Sequence, residues 1–126
     1  MMTGKTILIC DDALVVRAEL RTMLERHGFT VITADDGDVA AEVASRHPEL
    51  DLCIMDYNMP TMNGLEAMHH IRKLEAHTGL PIFILTTESA DSLAQDGLEQ
   101  GATAWIVKPW QEEALLAGIK HVIGDQ

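Results

Sequence analysis

Apolar and polar residues along this chain alternate in blocks of two different periods. Four runs are apolar almost without interruption: Ile7-Leu8-Ile9-Cys10, Leu52-Cys53-Ile54-Met55, Ile82-Phe83-Ile84-Leu85 and Ala104-Trp105-Ile106-Val107. Phe29 to Ala34 is a fifth short strand-like segment, and the central run begins at Asp51. Runs this short, bounded by polar residues, fit strands that are buried on both faces. Between them the apolar positions recur at three and four residues. Ala13 to His27 carries Val16, Leu20, Met23 and Leu24 on one helical face, and Gly28 suits its C-terminal end. Asp35-Asp36-Gly37-Asp38 makes a turn and a cap for a second helix, Val39 to Arg46, which stops at His47-Pro48. A third helix is predicted from Leu65 to about Ala76, with Leu65, Met68, Ile71 and Leu74 facing inward. The fourth, about Ala90 to Gln100, is weak because Gly97 in its interior costs about 1 kcal/mol relative to Ala. Gln111 to Ile123 closes the chain as an amphipathic fifth helix.

Strands that alternate with helices define an α/β protein with a five-stranded parallel sheet. Right-handed crossovers put the five helices on both faces. The 126 residues are read as one domain, 1–126, with no internal linker, no low-complexity tract and no output domain after Gln126. In open sheets of this kind, sites form beyond the carboxyl ends of the strands. The residues delivered there are therefore the ones to examine. The first strand ends in Asp11-Asp12, the third in Asp56, the fourth in Thr86-Thr87 and the fifth in Lys108-Pro109.

Taken singly, each of these has an ordinary structural explanation. An Asp-Asp pair caps helices, a lone Asp ends strands in turns, and Lys-Pro is a common loop pair. Their joint occurrence at four strand ends points to chemistry. Two carboxylates about 5 Å apart repel by roughly 3 kcal/mol at an effective dielectric near 20. Asp11, Asp12 and Asp56 cannot all stay ionised without a cation. A few hard oxygen ligands at an open edge suit Mg²⁺, which keeps several waters and shares phosphate oxygens. Lys108 adds a point charge for a phosphoryl oxygen and Thr86 a hydroxyl donor. A carboxylate nucleophile, a divalent cation and two donors are the parts that phosphoryl transfer to an aspartate requires.

At these residues the chain resembles the receiver domain of two-component response regulators. The likeness rests on Asp11-Asp12, on Met55-Asp56-Tyr57-Asn58-Met59-Pro60 with Asn63-Gly64, on Thr86 and on Lys108-Pro109, and it covers essentially the whole chain. It includes the gaps of 44, 30 and 22 residues that separate Asp12, Asp56, Thr86 and Lys108. The resemblance implies a flavodoxin-like (CheY-like) sheet of order 2-1-3-4-5. It implies that Asp56 accepts a phosphoryl group from a sensor histidine kinase or phosphotransfer protein. Asp12 would bind Mg²⁺ directly, Asp11 mostly through water, and Asn58 through its backbone carbonyl. Lys108 would contact the phosphoryl group across a cis Lys108-Pro109 peptide, Thr86 would move toward it, and Trp105 would be the aromatic that moves with Thr86. Asn58 and Glu88 would tune dephosphorylation, and their pairing resembles that of fast-cycling chemotaxis regulators. Leu14, Val15 and Ala18 would lie where the kinase docks. Asn63 replaces a more usual Asp, a small departure if the turn needs only tolerance of the left-handed conformation.

The remaining composition narrows the class. A net charge of −11 argues against a nucleic-acid groove and for basic or neutral partners. No apolar run approaches the roughly 20 residues of a membrane helix, and the N-terminus lacks a signal-like core, so a cytoplasmic setting is expected. Cys10 and Cys53 read as small core residues, the six histidines as surface residues, and Tyr57 as a rim residue. Asp91, Asp96, Glu99, Glu112 and Glu113 make the fourth and fifth helices acidic, which suits a basic output partner. The expected function is a phosphorylation-controlled binding switch whose fourth helix, fifth strand and fifth helix meet that partner. It would catalyse only its own phosphorylation and dephosphorylation and would not be a metabolic enzyme. One alternative, an aspartyl-phosphate phosphohydrolase, would need a second acid where Asn58 stands. A nucleotide binder would need a glycine-rich loop after the first strand, and the intact acidic set speaks against a phosphorylation-independent adaptor.

Overall fold

The computed structural model describes residues 3–124; Met1, Met2, Asp125 and Gln126, at the ends of the expected domain, lie outside the described residues. The strands are β1 Thr6–Cys10, β2 Thr30–Ala34, β3 Leu52–Met55, β4 Ile82–Thr86 and β5 Ala104–Val107. They pair in parallel in the order β2-β1-β3-β4-β5. Helices α1 Leu14–Arg26, α2 Gly37–Arg46, α3 Gly64–Arg72, α4 Asp91–Glu99 and α5 Glu112–Ile123 connect them. Class and strand order are those expected. The uninterrupted apolar runs follow from the two layers that cover the sheet. Leu8, Cys10, Cys53, Met55, Ile82 and Ile84 pack with α2 and α3, whereas Ile7, Ile9, Leu52, Ile54, Phe83 and Leu85 pack with α1 and α5.

Register decides what the strand ends bring together. Cys10 lies beside Met55, so the next residues, Asp11 and Asp56, leave the sheet side by side. Thr86 lies beside Val107, which places Lys108 one step beyond it. The Lys108-Pro109 peptide is cis.

The helix starts show which polar residues serve the fold and which are left for the site. α1 begins at Ala13 with no side-chain cap, so neither Asp11 nor Asp12 caps it. Asn63 caps α3 in a reciprocal box: its side chain accepts the Glu66 N–H at 2.9 Å while the Glu66 carboxylate accepts the Asn63 N–H at 3.1 Å. Asn63 is extended, with φ −72°, so the expected left-handed turn is not formed; the position needs a cap. Gly64 follows because a β-carbon there would run into the Asp56 carbonyl.

α3 stops at Arg72, four residues before the predicted end. The chain tightens there, with Lys73 N–H donating to His70 O at 3.3 Å and Leu74 N–H to Ile71 O at 3.0 Å, and enters a 3₁₀ turn, Glu75–His77. This turn carries His77 into the core, where it is 1% exposed and donates from Nε2 to the Ala44 carbonyl at 2.9 Å. The expectation that every histidine lies at the surface therefore fails at His77. Arg72 secures the turn by donating to Leu80 O at 2.6 Å and Gly101 O at 2.8 Å, which ties the end of α3 to the approaches of β4 and β5. Cys10 and Cys53 are buried free thiols as expected, and burial pushes the Cys53 thiol up to about 12.

Gly97 has a packing role that its helix propensity concealed. Trp105 of β5 lies against α4 at this residue, and a β-carbon at position 97 would fall 2.7 Å from the indole ring. The glycine gives up about 1 kcal/mol of helix propensity to open a slot for the indole. Overpacking typically costs 1–3 kcal/mol. We therefore expect Gly97→Ala to lose roughly 1 kcal/mol net in urea unfolding and to shift tryptophan emission. A more stable variant with unchanged emission would show that the slot does not constrain Trp105.

Candidate functional site

Three acids, a lysine and a threonine meet at the carboxyl edge of the sheet. Lys108 Nζ lies 2.7 Å from Asp11 Oδ2 and 2.8 Å from Asp56 Oδ2, so one ammonium bridges the two buried carboxylates. The remaining oxygens have backbone donors: Asp11 Oδ1 accepts the Ala13 N–H at 2.9 Å, and Asp56 Oδ1 accepts the Asn58 N–H at 3.1 Å. Asp11 is 2% exposed, Asp56 8% and Thr86 0%, whereas Asp12 is open to solvent. One oxygen from each of Asp11, Asp12 and Asp56 lies within 4.8 Å of the others. Among the described residues this is the one such group of potential metal ligands. An all-oxygen donor set with one accessible carboxylate fits a hard divalent cation that keeps part of its water, as Mg²⁺ does.

The electrostatics of the three charged groups differ. Burial pushes the Asp11 carboxyl up, and its bonds to Lys108 and the Ala13 N–H offset this only in part. Burial acts on Asp56 in the same direction, but bonds from Lys108, Thr86 and the Asn58 N–H outweigh it and hold this carboxyl low. Lys108 is also desolvated, yet its two carboxylates raise its pKa above the ordinary lysine value. At neutral pH the Asp56 carboxylate is thus ionised and held by the Lys108 ammonium.

The other predicted residues form a chain running outward from Asp56. The Asn58 side chain donates to Glu88 Oε2 at 2.7 Å, a bridge between the β3–α3 and β4–α4 loops. The Glu88 N–H reaches Thr86 Oγ1 at 3.3 Å, and the Glu88 carbonyl accepts the Trp105 Nε1–H at 3.0 Å. Tyr57 is half-buried, and its ring centroid lies 5.8 Å from that of Trp105. On the opposite layer, Leu14 and Val15 are 70% and 67% exposed. They line a groove of about 740 Å³ with Met23, Arg26, Pro109 and Trp110. Glu112 is not free on the last helix as its sequence position suggested; it pairs with Arg26 at 2.6 Å and lies 3.2 Å from His27 Nε2.

Sequence reasoning missed two contributors. Arg17 donates to the Asp11 carbonyl at 2.6 Å, an interaction that its place on the helix's polar face did not reveal. Asp36, read as part of a turn and a helix cap, also accepts the N–H groups of Thr61 and Met62 in the loop after Asp56. Acidic residues just before a helix signal a cap, and nothing in their spacing signals a second partner. No helix among the described residues is long and apolar enough to cross a membrane.

The raised Asp11 carboxyl makes metal-free stability depend on pH in a definite direction. A carboxyl whose folded pKa lies above its unfolded value contributes stability that is present below the unfolded value and is lost as pH rises through the folded one. The depressed Asp56 carboxyl contributes stability that is present above its unfolded value and is lost as pH falls through its folded value. In EDTA, the urea midpoint should therefore rise as pH is lowered from neutral, then fall once Asp56 protonates. Asp11→Asn should raise the neutral-pH midpoint and flatten the first of these changes. A lower midpoint in the Asn variant would show that the Lys108 bond outweighs the burial of Asp11.

Comparison with known proteins agrees with this geometry. Residues 7–120 match the model of the response regulator receiver domain. Protein PilH of Pseudomonas aeruginosa is 35% identical over 117 residues, which span 93% of this chain and 96% of that protein. The chemotaxis protein CheY4 of Vibrio cholerae has a similar structure, with a TM-score of 0.88 and 35% identity over 97% of this chain and 99% of that one. The receiver domain of a sensor histidine kinase from P. aeruginosa, solved with a magnesium ion coordinated in its active-site cleft, gives a TM-score of 0.88 and 28% identity over 96% of this chain and 98% of that one. The chain spans only 5% and 53% of the first two curated relatives it matches, so the same unit also occurs within much longer proteins. This chain belongs to the receiver-domain family of two-component response regulators.

Proposed function

We propose that this receiver accepts a phosphoryl group on Asp56 from the phosphohistidine of a sensor histidine kinase or phosphotransfer protein and passes the signal on through protein contact. The observation that carries this reading is the single ammonium of Lys108 between Asp11 and Asp56, with Asp12 within reach of both. An Asp56 carboxylate oxygen forms a bond to phosphorus as the donor's N–P bond breaks, and the electron pair returns to the imidazole nitrogen. Asp56 is ionised and desolvated for attack. Lys108 is placed to follow the charge from the carboxylate to a phosphoryl oxygen, and buried Thr86 offers a hydroxyl beside it. Asp11, Asp12, Asp56 and the Asn58 carbonyl would hold Mg²⁺. When bound, Mg²⁺ neutralises charge on the transferring group.

The groove lined by Leu14, Val15 and Trp110 suits the apolar surface of the donor, because its exposed aliphatic residues sit just beyond Asp11-Asp12. The output surface is assigned to α4, β5 and α5, where Leu98 and Val107 are exposed among Asp91, Asp96, Glu99 and Glu113. A basic partner fits that face. The Asn58–Glu88 bridge spans the approach to Asp56 and supports a short phospho-state lifetime set at this bridge. The protein's catalysis is confined to its own phosphorylation and dephosphorylation, in the cytoplasm.

Intact-protein mass after incubation with Mg²⁺ and a small phosphodonor tests the reading. One phosphoryl adduct is expected, dependent on Mg²⁺ and absent in Asp56→Asn. Wild type without an adduct from any donor would point to an adaptor that works unphosphorylated. The lifetime is tested separately: decay over seconds to minutes is expected, with Asn58→Ala and Glu88→Ala each changing the rate several-fold. Decay over hours that neither variant alters would remove the bridge from the account.

A further inference from the structure

Asp36 does more than a helix cap requires. It precedes α2 and accepts the Gly37 N–H at 2.7 Å, which serves the helix. The same carboxylate accepts the Thr61 N–H at 3.2 Å on one oxygen and 3.1 Å on the other, and the Met62 N–H at 3.2 Å. Thr61 and Met62 belong to the loop between β3 and α3, which carries Asn58 next to the phosphoryl acceptor. Two further contacts join the same segments. Cys10 Sγ lies 3.2 Å from the Asp36 carbonyl oxygen and 3.3 Å from Met59 Sδ. Gly37 lacks a side chain where the Met62 carbonyl closes against it. The loop is also pinned at its base, where the Gly64 N–H donates to Tyr57 O at 2.8 Å. Between these anchors the path of residues 58–62 has little freedom. The small burial of Asp36 acts to raise its carboxyl, but the bonds from Thr61, Gly37 and Met62 outweigh it and keep the group low and ionised.

We infer that Asp36 is a positioning residue for the phosphoryl-acceptor site: by holding Thr61 and Met62 it fixes where the loop presents the Asn58 carbonyl to the cation beside Asp56. This role rests on the Mg²⁺-dependent reading proposed above. Groups that orient metal ligands without touching the metal typically change affinity 10–100-fold when removed.

Two substitutions separate the clamp from the cap. Asp36→Ser keeps a good N-cap for α2, but its short hydroxyl cannot reach the loop. Asp36→Asn keeps both the cap and an acceptor oxygen at the original reach. The measurements are amide hydrogen exchange in the metal-free protein and Mg²⁺ affinity by calorimetry. In D36S, exchange at Thr61 and Met62 should accelerate while α2 keeps its protection, and the Mg²⁺ Kd should rise roughly tenfold. D36N should return both to within about threefold of wild type. Unchanged exchange at Thr61 and Met62 in D36S overturns the clamp. Faster exchange with unchanged Mg²⁺ affinity overturns the positioning role, and loss of α2 protection reduces Asp36 to a cap. Wild-type protein that takes up no Mg²⁺ sinks the functional reading, and the positioning role with it, whatever the exchange shows.

Discussion

The ammonium of Lys108, held between the carboxylates of Asp11 and Asp56, is the interaction around which the site is built. It joins the end of β1 and the end of β3 to the end of β5, across the end of β4. The strand order β2-β1-β3-β4-β5 and the observed register bring the three groups within that reach. Removing water from two acids and a base is expensive, and a buried pair of this kind is weak evidence for stability. The raised carboxyl of Asp11 shows that the arrangement does not fully compensate its own burial. The molecule thus keeps one poorly compensated carboxyl, Asp11, at the edge where Asp11, Asp12 and Asp56 could share a cation.

From this centre a continuous series of contacts leads to the opposite end of α4. Asn58 binds the Glu88 side chain, the Glu88 carbonyl binds Trp105, and Trp105 fills the slot left by Gly97. Each link belongs to a different loop, strand or helix. A change in the charge beside Asp56 therefore has a physical route to the helix surface through hydrogen bonds and one large aromatic. The helix at the end of that route is the one with a glycine in its interior.

How much of this was legible in the sequence follows from what sets each feature. β1, β3 and β4, buried on both faces, show themselves as unbroken apolar runs, and the half-buried edge strand β5 keeps such a run too, so Asp11, Asp56, Thr86 and Lys108 could be placed at one edge before any coordinates. The ends of helices were harder. Leu74 keeps the inward spacing of α3, so the pattern continued past Arg72 although the chain had already turned to bury His77. That turn is held by Arg72 on the carbonyl of Leu80, just beyond it, and on that of Gly101 in a distant loop, a contact that no local pattern encodes. Asn63 was misread because the same residue type serves a left-handed turn and a helix cap. Glu112 looked free until α1 brought Arg26 and His27 to it. For His77 and Glu112 the missing information was tertiary, whereas the Asn63–Glu66 capping box is local and its three-residue spacing was there to be read.

The sheet also acts as a partition. The groove beside Leu14 and Val15 rests on the layer that α1 and α5 form over Ile7, Ile9 and Phe83, while Trp105 rests on the layer that includes Met55 and Ile84. The two layers share no side chains, only strands. The groove and the Trp105 slot therefore lie in separate packing clusters on opposite faces of the sheet. Each layer can thus repack around its own side chains, the strands being what the two have in common.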